Sequence, residues 1–390
     1  MIRFFFVLTV FITLSIFISC STQVENNKSI TLIEVQENGL KLEIPDSSIE
    51  LLLLTRKEAI KSNLLTDKKS YVNADLSCGE KVLKVTVRFK GDHIDHLNGN
   101  RWSFRVKTKK EGLIFGEDKF SIQGVHTRAF LNEWLFHKLL KKEGLVYLQY
   151  HFIPFQIKNI DSLKGIYAYE SHFKTNLLKI QNKKPGPIAK FSEDLFWDFK
   201  YRKGEPNRDS ILMTESEIKL TGKKGYKESL KTILLKNLDN YRKGLIVADS
   251  VLDVKKWARF IAINGLMKSD HALRWHNLRF YLNPETQLIE PVGFDCVSWH
   301  SKKGAWFLDP NELEEFYKGL FNSELFLSTL NSKAHEIAER SYFKNFLDDN
   351  KEDIEKNIEL IKLEKKEYRF WPIAFYKNQD LIKKSLDTSK

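Results

Sequence analysis

Two apolar runs that must fold back on each other lie between Asp270 and Asp295, where the chain reads DHALRWHNLRFYLNPETQLIEPVGFD. Leu278 to Leu282 alternates aromatic and aliphatic residues as a half-buried strand does. Asn283-Pro284-Glu285 follows at once, with proline presetting φ and asparagine bonding its own backbone. Leu288 to Phe294 then returns as a second strand that delivers Asp295. The pattern predicts an antiparallel hairpin with Asn277 at its entry and Asp295 at its exit, so that the two ends lie side by side. An amide oxygen and a carboxylate so placed can share one hard cation, as Mg2+ requires when it bridges nucleotide phosphates. A buried hairpin with ordinary polar ends explains the same letters.

The chain is 390 residues long, 42% hydrophobic and 13% aromatic, enough for a packed core in one large domain or two lobes. Its 63 basic and 51 acidic residues leave +12, spread as isolated pairs without a long block. That is a solvated surface favouring anionic partners, and nucleic-acid binding is not expected. Residues 1 to 20, MIRFFFVLTVFITLSIFISC, have the pattern of a secretory signal. Ser19-Cys20 resembles a bacterial lipoprotein processing box, in which the cysteine is lipidated and becomes the new N-terminus, with Phe17 standing where leucine is usual. The rival reading is an uncleaved anchor, since the run is close to bilayer-spanning length. Both readings place the rest of the chain outside the cytoplasm, at the cell envelope. With Cys20 lipidated, Cys78 and Cys296 either pair or remain two small buried thiols.

Residues 21 to 47 form a polar tether, and LLLLTRKEAIKSNLL after Ser47-Ser48 has helical spacing. A strand is expected over Lys81 to Phe89, then a polar loop from Lys90 to Asn100, then a strand over Arg101 to Thr108. On the second strand Trp102, Phe104 and Val106 point one way and Ser103, Arg105 and Lys107 the other. A loop with two glycines followed by a cationic row suits phosphate, and a hairpin with a basic solvent face accounts for it equally. Asp92, His93, Asp95 and His96 in that loop are ordinary loop residues, unaccompanied by a ligand array at helical spacing. Thr127 to Lys142 carries Leu131, Trp134, Leu135 and Leu139 at helical spacing, and Gly144 ends it. Glu133 stands off that stripe. Strands follow near Tyr147 to Ile157 and Gly165 to Tyr169, the latter ending in Glu170. After Pro185-Gly186-Pro187 the chain becomes mainly helical, with Asp253 capping Val254 to Met267 and further helices to about Lys366. The aromatic stretch Tyr368 to Tyr376 reads as a packed cover. The expected division is a leader over 1 to 20, a tether over 21 to 47, a β-rich half over 48 to 190, a helical half over 191 to 376, and a tail over 377 to 390.

Four blocks resemble the spore coat protein H (CotH) kinase family: VRFKGDHIDHLNGNRWSFRVK at 87 to 107, FSIQGVHTRAFLNEWLFHKLLKKEGL at 120 to 145, GIYAYESHF at 165 to 173, and WHNLRFYLNPETQLIEPVGFD at 275 to 295. The resemblance implies an α+β, protein-kinase-like two-lobe fold, with a β-rich N-lobe, a helical C-lobe and an ATP cleft between them. It makes Asn277 and Asp295 the Mg2+ (or Mn2+) ligands, puts Arg105 or Lys107 on the nucleotide phosphates, and gives Glu133 or Glu170 the task of orienting that cation. In protein kinases the catalytic Asp lies five positions before the metal-binding Asn, and here that position is Ala272. The nearest acid is Asp270, seven positions before Asn277, so the base is Asp270 through an expanded loop, or His271, or absent. The implied activity is ATP- and Mg2+-dependent phosphoryl transfer to Ser or Thr of an exported or surface protein. The alternative is a catalytically weak, pseudokinase-like binding module. Metal-dependent hydrolysis is disfavoured, for the chain has no paired-carboxylate or multi-histidine signature.

Overall fold

The structure, a computed structural model, describes residues 31–33, 39–65, 70–92, 94–97, 99–109, 112–160, 163–199, 209–222, 224–297 and 302–388. The leader with Cys20, most of the tether, and His93 lie outside the described residues. The strands are β1 Thr31–Ile33, β2 Leu40–Glu43, β3 Val72–Cys78, β4 Lys81–Phe89, β5 Phe104–Thr108, β6 Gly112–Ile114, β7 Lys119–Gly124, β8 Tyr150–Ile157, β9 Lys164–Ser171, β10 Ile188–Phe191, β11 Ile218–Leu220, β12 Arg279–Leu282 and β13 Ile289–Val292. Four helices matter for the site: α1 Asp46–Ser62, α2 Leu131–Lys142, α3 Val254–Met267 and α4 Lys351–Glu364. The chain is α+β, with its strands concentrated before residue 192 and, apart from the 17-residue α1 and from α2, its longer helices after residue 227.

Seven strands close into a barrel in the order β2-β3-β4-β5-β7-β9-β8, sealed by a parallel pairing of β8 with β2. Strand alternation sorts its two faces. Val85, Val87, Phe89, Phe104, Val106, Phe120, Ile122, Tyr167 and Tyr169 fill the interior, all 2% exposed or less. The intervening residues, among them Lys90, Arg105, Ser121, Gln123 and Glu170, therefore stand on the outer face. Helix α1 packs Leu52 and Ala59 against this core. It begins two residues earlier than Ser48, and its cap position is Pro45, so the expected serine cap is absent.

The predicted hairpin is β12–β13, with Arg279 opposite Val292 and Leu282 opposite Ile289. Asn283 Oδ1 accepts the Glu285 amide at 2.9 Å, the turn chemistry read from sequence. The hairpin does not stand alone. Ile188–Phe191, too short to register as a strand by pattern, pairs antiparallel with β12 and makes a four-stranded sheet, β11-β10-β12-β13. Asp253 Oδ1 caps α3 by accepting Lys256 N at 3.1 Å.

Helix α2 follows β7 in sequence, yet its apolar face belongs to the core of the helical half. Leu131, Leu135, Phe136, Leu139 and Leu140 are fully buried in one cluster with α3 residues Trp257, Phe260 and Ile261. From the opposite side, Glu364 at the end of α4 pairs with Arg101 and accepts Ile166 N of β9 at 3.1 Å. The barrel and the helices are thus clamped at two places. Cys78 lies in the barrel core and Cys296 in the helical one, and the two are not joined to each other.

Gly293 is where the end of the hairpin passes α2. A Cβ there would lie 1.9 Å from Leu140 Cδ1, and Leu140 is fully buried, so it could give way only by displacing other core side chains. Gly293→Ala should destabilise the chain by about 1–3 kcal/mol, the usual cost of overpacking, seen as a lower urea midpoint at unchanged m-value.

Candidate functional site

The first turn of α2 grips the end of the hairpin. Asp295 adopts φ +63°, a left-handed conformation tolerated by aspartate but uncommon outside glycine. The Glu133 carboxylate holds that turn by accepting Asp295 N at 3.0 Å on Oε1 and Cys296 N at 2.7 Å on Oε2. Asn132 Nδ2 donates to Cys296 O at 2.9 Å. Leu148 N donates to His137 Nδ1, which leaves Nε2 as the protonated nitrogen, 3.2 Å from Glu133 Oε1. Glu133 is thus neither a solvent-facing acid nor paired with the strand cations Arg105 or Lys107; its basic neighbour is His137 of the same helix. It is wholly buried, and it positions the backbone that carries Asp295.

Asp295 Oδ1 is buried and makes no well-formed hydrogen bond; its nearest cation is Arg128, whose Nε is 3.0 Å away. Arg128 comes from the 3-10 turn Val125–Arg128 just before α2. Burial alone would raise the Asp295 pKa, but Arg128 and His271 outweigh it and hold the carboxyl far below its ordinary range. His271 Nδ1 is 3.5 Å from the same oxygen, and Asn277 Nδ2 lies 3.2 Å from His271 Nδ1 while donating to His271 O at 2.9 Å. Asp295, His271 and Asn277 therefore form one connected cluster. Burial would lower the His271 pKa, yet Asp295 raises it overall. Asp270 is buried and lies toward Arg274, with Nη2 3.5 Å from its Oδ2, and Arg274 in turn pairs with Glu314 at 3.1 Å.

On the barrel side the cation paired with a glutamate is Lys90, the residue that follows β4. Its Nζ donates to Glu170 Oε1 at 2.8 Å and to Gln123 Oε1. Glu170, fully buried, also accepts Gln123 Nε2 at 3.1 Å and Ser121 Oγ at 3.3 Å. Burial would raise the Glu170 pKa, and Lys90, Arg128 and Arg105 together bring it below its ordinary value. Arg105 stands beside this pair, buried, with Nη1 3.0 Å from His172 Nδ1. Lys107 does not join it: two residues along β5 from Arg105, it is exposed to solvent. Of the two glutamates read from sequence, Glu170 faces the cation and Glu133 does not.

Sequence reasoning missed Lys90, Gln123 and Arg128. Alternation continued one step past Phe89 places Lys90 on the face of Arg88, which was the available signal. Nothing in the local pattern marks Arg128, because its partner lies more than 160 residues away. Arg279, buried across the seam, adds another cation, bonded to His276 O at 3.0 Å and 3.3 Å from Glu193 Oε1. The loop histidine His96 is buried against Ser103 Oγ at 2.9 Å, a structural partner rather than a metal ligand. Among the described residues no group of three or more His, Cys, Asp or Glu side chains is arranged to hold a metal. One carboxylate and one amide suffice only for a cation that takes its other ligands from phosphate oxygens and water, as Mg2+ does. The under-bonded Asp295 Oδ1 fits that use.

Neither a protein-family model nor a curated protein matches the chain. Among solved structures, a chain of the toxin–antitoxin complex of HipA, HipB and its operator DNA from Shewanella oneidensis MR-1 is similar at a TM-score of 0.32 and 14% identity. The match covers 74% of this chain and 63% of that one. A likeness of this degree does not fix a fold, and the resemblance to the spore coat protein H kinases rests on the four sequence blocks.

Two measurements probe this arrangement. Glu133→Gln would set an amide N–H against a buried backbone N–H and should cost about 1–3 kcal/mol of stability, measured by urea unfolding. Burial, with help from Arg128 and Arg105, brings Lys90 down to about 8 against the upward pull of Glu170. Because the unfolded chain holds that proton up to its ordinary value of 10.5, this group makes the fold more stable as pH rises from about 8 toward 10.5. NMR of reductively methylated protein should show one lysine titrating near 8, and Glu170→Gln should move it lower.

Proposed function

We propose that the chain is an ATP- and Mg2+-dependent phosphotransferase with a kinase-like cleft between barrel and helices. Its acceptor is Ser or Thr of an exported or surface protein, and its place is the cell envelope, held by lipidated Cys20. The observation that carries this reading is that Arg128, with Nε 3.0 Å from Asp295 Oδ1, also interacts electrostatically with Glu170, so the Lys90–Glu170 pair of the barrel and the Asp295–His271–Asn277 cluster of the hairpin share one electrostatic seam.

In this reading Lys90 donates to nucleotide phosphate oxygens, and Glu170, fixed by Ser121 and Gln123, keeps the ammonium aimed. Arg105 adds positive charge beside the pair. Asp295 and Asn277 would hold Mg2+, which when bound neutralises charge on the phosphates. Glu133 keeps the Asp295 carboxylate presented at the seam. The acceptor oxygen attacks the γ-phosphorus as the bond to the ADP oxygen breaks, and the hydroxyl proton passes to His271 or Asp270. His271 lies within the cluster, whereas Asp270 is turned toward Arg274. Asp295 raises the His271 pKa, so a larger fraction of the imidazole already carries a proton and cannot accept another until that carboxylate charge is taken up.

A second reading, a binding module without transfer, has its own support: Arg128 Nε already lies 3.0 Å from Asp295 Oδ1 and balances its charge without a metal. The two readings separate on one set of variants. The full-length chain in detergent, incubated with labelled ATP and Mg2+ or Mn2+, should phosphorylate itself or a serine-rich protein and gain thermal stability with nucleotide. Lys90→Met and Asp295→Asn should each cut transfer by about a hundredfold or more, as removal of an electrostatic group at a transferring phosphoryl does. Absence of both label and thermal shift in the unaltered chain would leave the binding module.

A further inference from the structure

The outer face of the barrel continues beyond the Lys90–Glu170 pair as a block of cations that phosphoryl transfer leaves unassigned. The register sets Arg88 opposite Arg105, and Lys107 opposite Lys119, on three adjacent strands. All four share the outer face, because Val87, Phe89, Phe104, Val106 and Phe120 occupy the inner one. Like charges directly opposed weaken a strand pair, and little offsets them here. Among the described residues neither Lys107 nor Lys119 makes an ion pair. Arg88 donates to a backbone carbonyl, Phe89 O, at 2.7 Å, and Arg105 Nε is buried without a hydrogen-bond partner. Glu170 offsets part of the Arg105 charge but is paired with Lys90, and Asp118 is taken by Lys174 at 2.8 Å. Burial, and then Arg105, Arg88, Lys174 and Lys107, bring Lys119 down to about 7. Exposure increases along the block, from buried Arg105 through half-buried Arg88 and Lys119 to exposed Lys107, so it opens to solvent beside the seam.

We propose that this block docks acidic side chains flanking the acceptor hydroxyl, so that the substrate class is an extended Ser- or Thr-bearing polypeptide segment rich in Asp or Glu. The geometry favours a peptide over a nucleic acid. Strands about 4.8 Å apart and residues about 6.6 Å apart along each strand confine the block to roughly 10 Å, the reach of two or three neighbouring carboxylates. Phosphates of a nucleic acid would need cations along a longer track. The arginine forks at one end match carboxylates in pairs. The transfer step rests on the phosphotransferase reading, and the binding step does not.

The test uses the full-length chain in detergent and two fluorescein-labelled serine peptides, one flanked by Glu and one by Gln. Fluorescence anisotropy should show the Glu-flanked peptide binding at least about tenfold tighter, with the preference lost at high salt. It should be lost equally in Lys107→Glu/Lys119→Glu, while the nucleotide-induced thermal shift is unchanged. If charge reversal prevents folding by circular dichroism, Lys107→Gln/Lys119→Gln carries the same expectation. Equal binding of the two peptides overturns the proposal. So does a loss of the nucleotide shift in parallel with peptide binding, which would assign the block to ATP. Tighter binding of a single-stranded oligonucleotide of equal charge overturns it too. Preferential peptide binding without phosphate transfer supports the docking face and removes the phosphotransferase reading.

Discussion

The Glu133 carboxylate, accepting the amides of Asp295 and Cys296, is the interaction on which the seam depends. A left-handed aspartate is strained, and it persists because the surroundings over-determine it. Each level of the fold contributes. The apolar stripe of α2 anchors the helix in the helical core, Gly293 lets the hairpin pass within contact of Leu140, and His137 fixes the carboxylate from behind. A single buried acid thereby converts helix packing into the position of one side chain of the candidate site.

The second constraint is charge. Lys90, Arg105, Arg128 and Arg279 are all less than a tenth exposed. Burying charges is tolerated only when they are paired and bonded, and Glu170, Asp295 and Glu193 provide that. Burial is the main reason that Lys90 sits near 8 rather than at its ordinary value, and Arg128 and Arg105 press it further down. Under the proposed function, a phosphate group bound here would relieve repulsion that the protein otherwise carries. The same carboxylates that keep the seam stable alone are those a ligand would rearrange.

Much of this was legible in the sequence wherever the physics was local. Turn chemistry at Asn283-Pro284 and alternation on either side specify the hairpin, and the Asp253 cap and the buried stripe specify α3, because each depends on neighbours a few positions apart. Long-range pairing was not legible. Lys90 was counted with the loop because the apolar alternation stops at Phe89, and its partner Glu170 lies 80 residues on. The role of Glu133 depended on amides 162 and 163 residues away, and helical periodicity says only that it stands off the main stripe. Barrel closure escaped because it needs a parallel partner remote in sequence, and Ile188–Phe191 escaped because it is only four residues long and its partner β12 lies about 90 residues on.

The parallel β2–β8 closure carries a consequence for how the chain comes into being. Leu40 finds its neighbour in Phe155, so a polypeptide emerging N-terminus first exposes the bare edge of its second strand until more than a hundred further residues have followed. The β3–β4 hairpin beside it can form long before that, leaving an open sheet whose unpaired margin invites association with other chains. Sealing the cylinder is therefore a late step, and whatever delays the arrival of Tyr150–Ile157 prolongs the interval in which this protein is most vulnerable to aggregation.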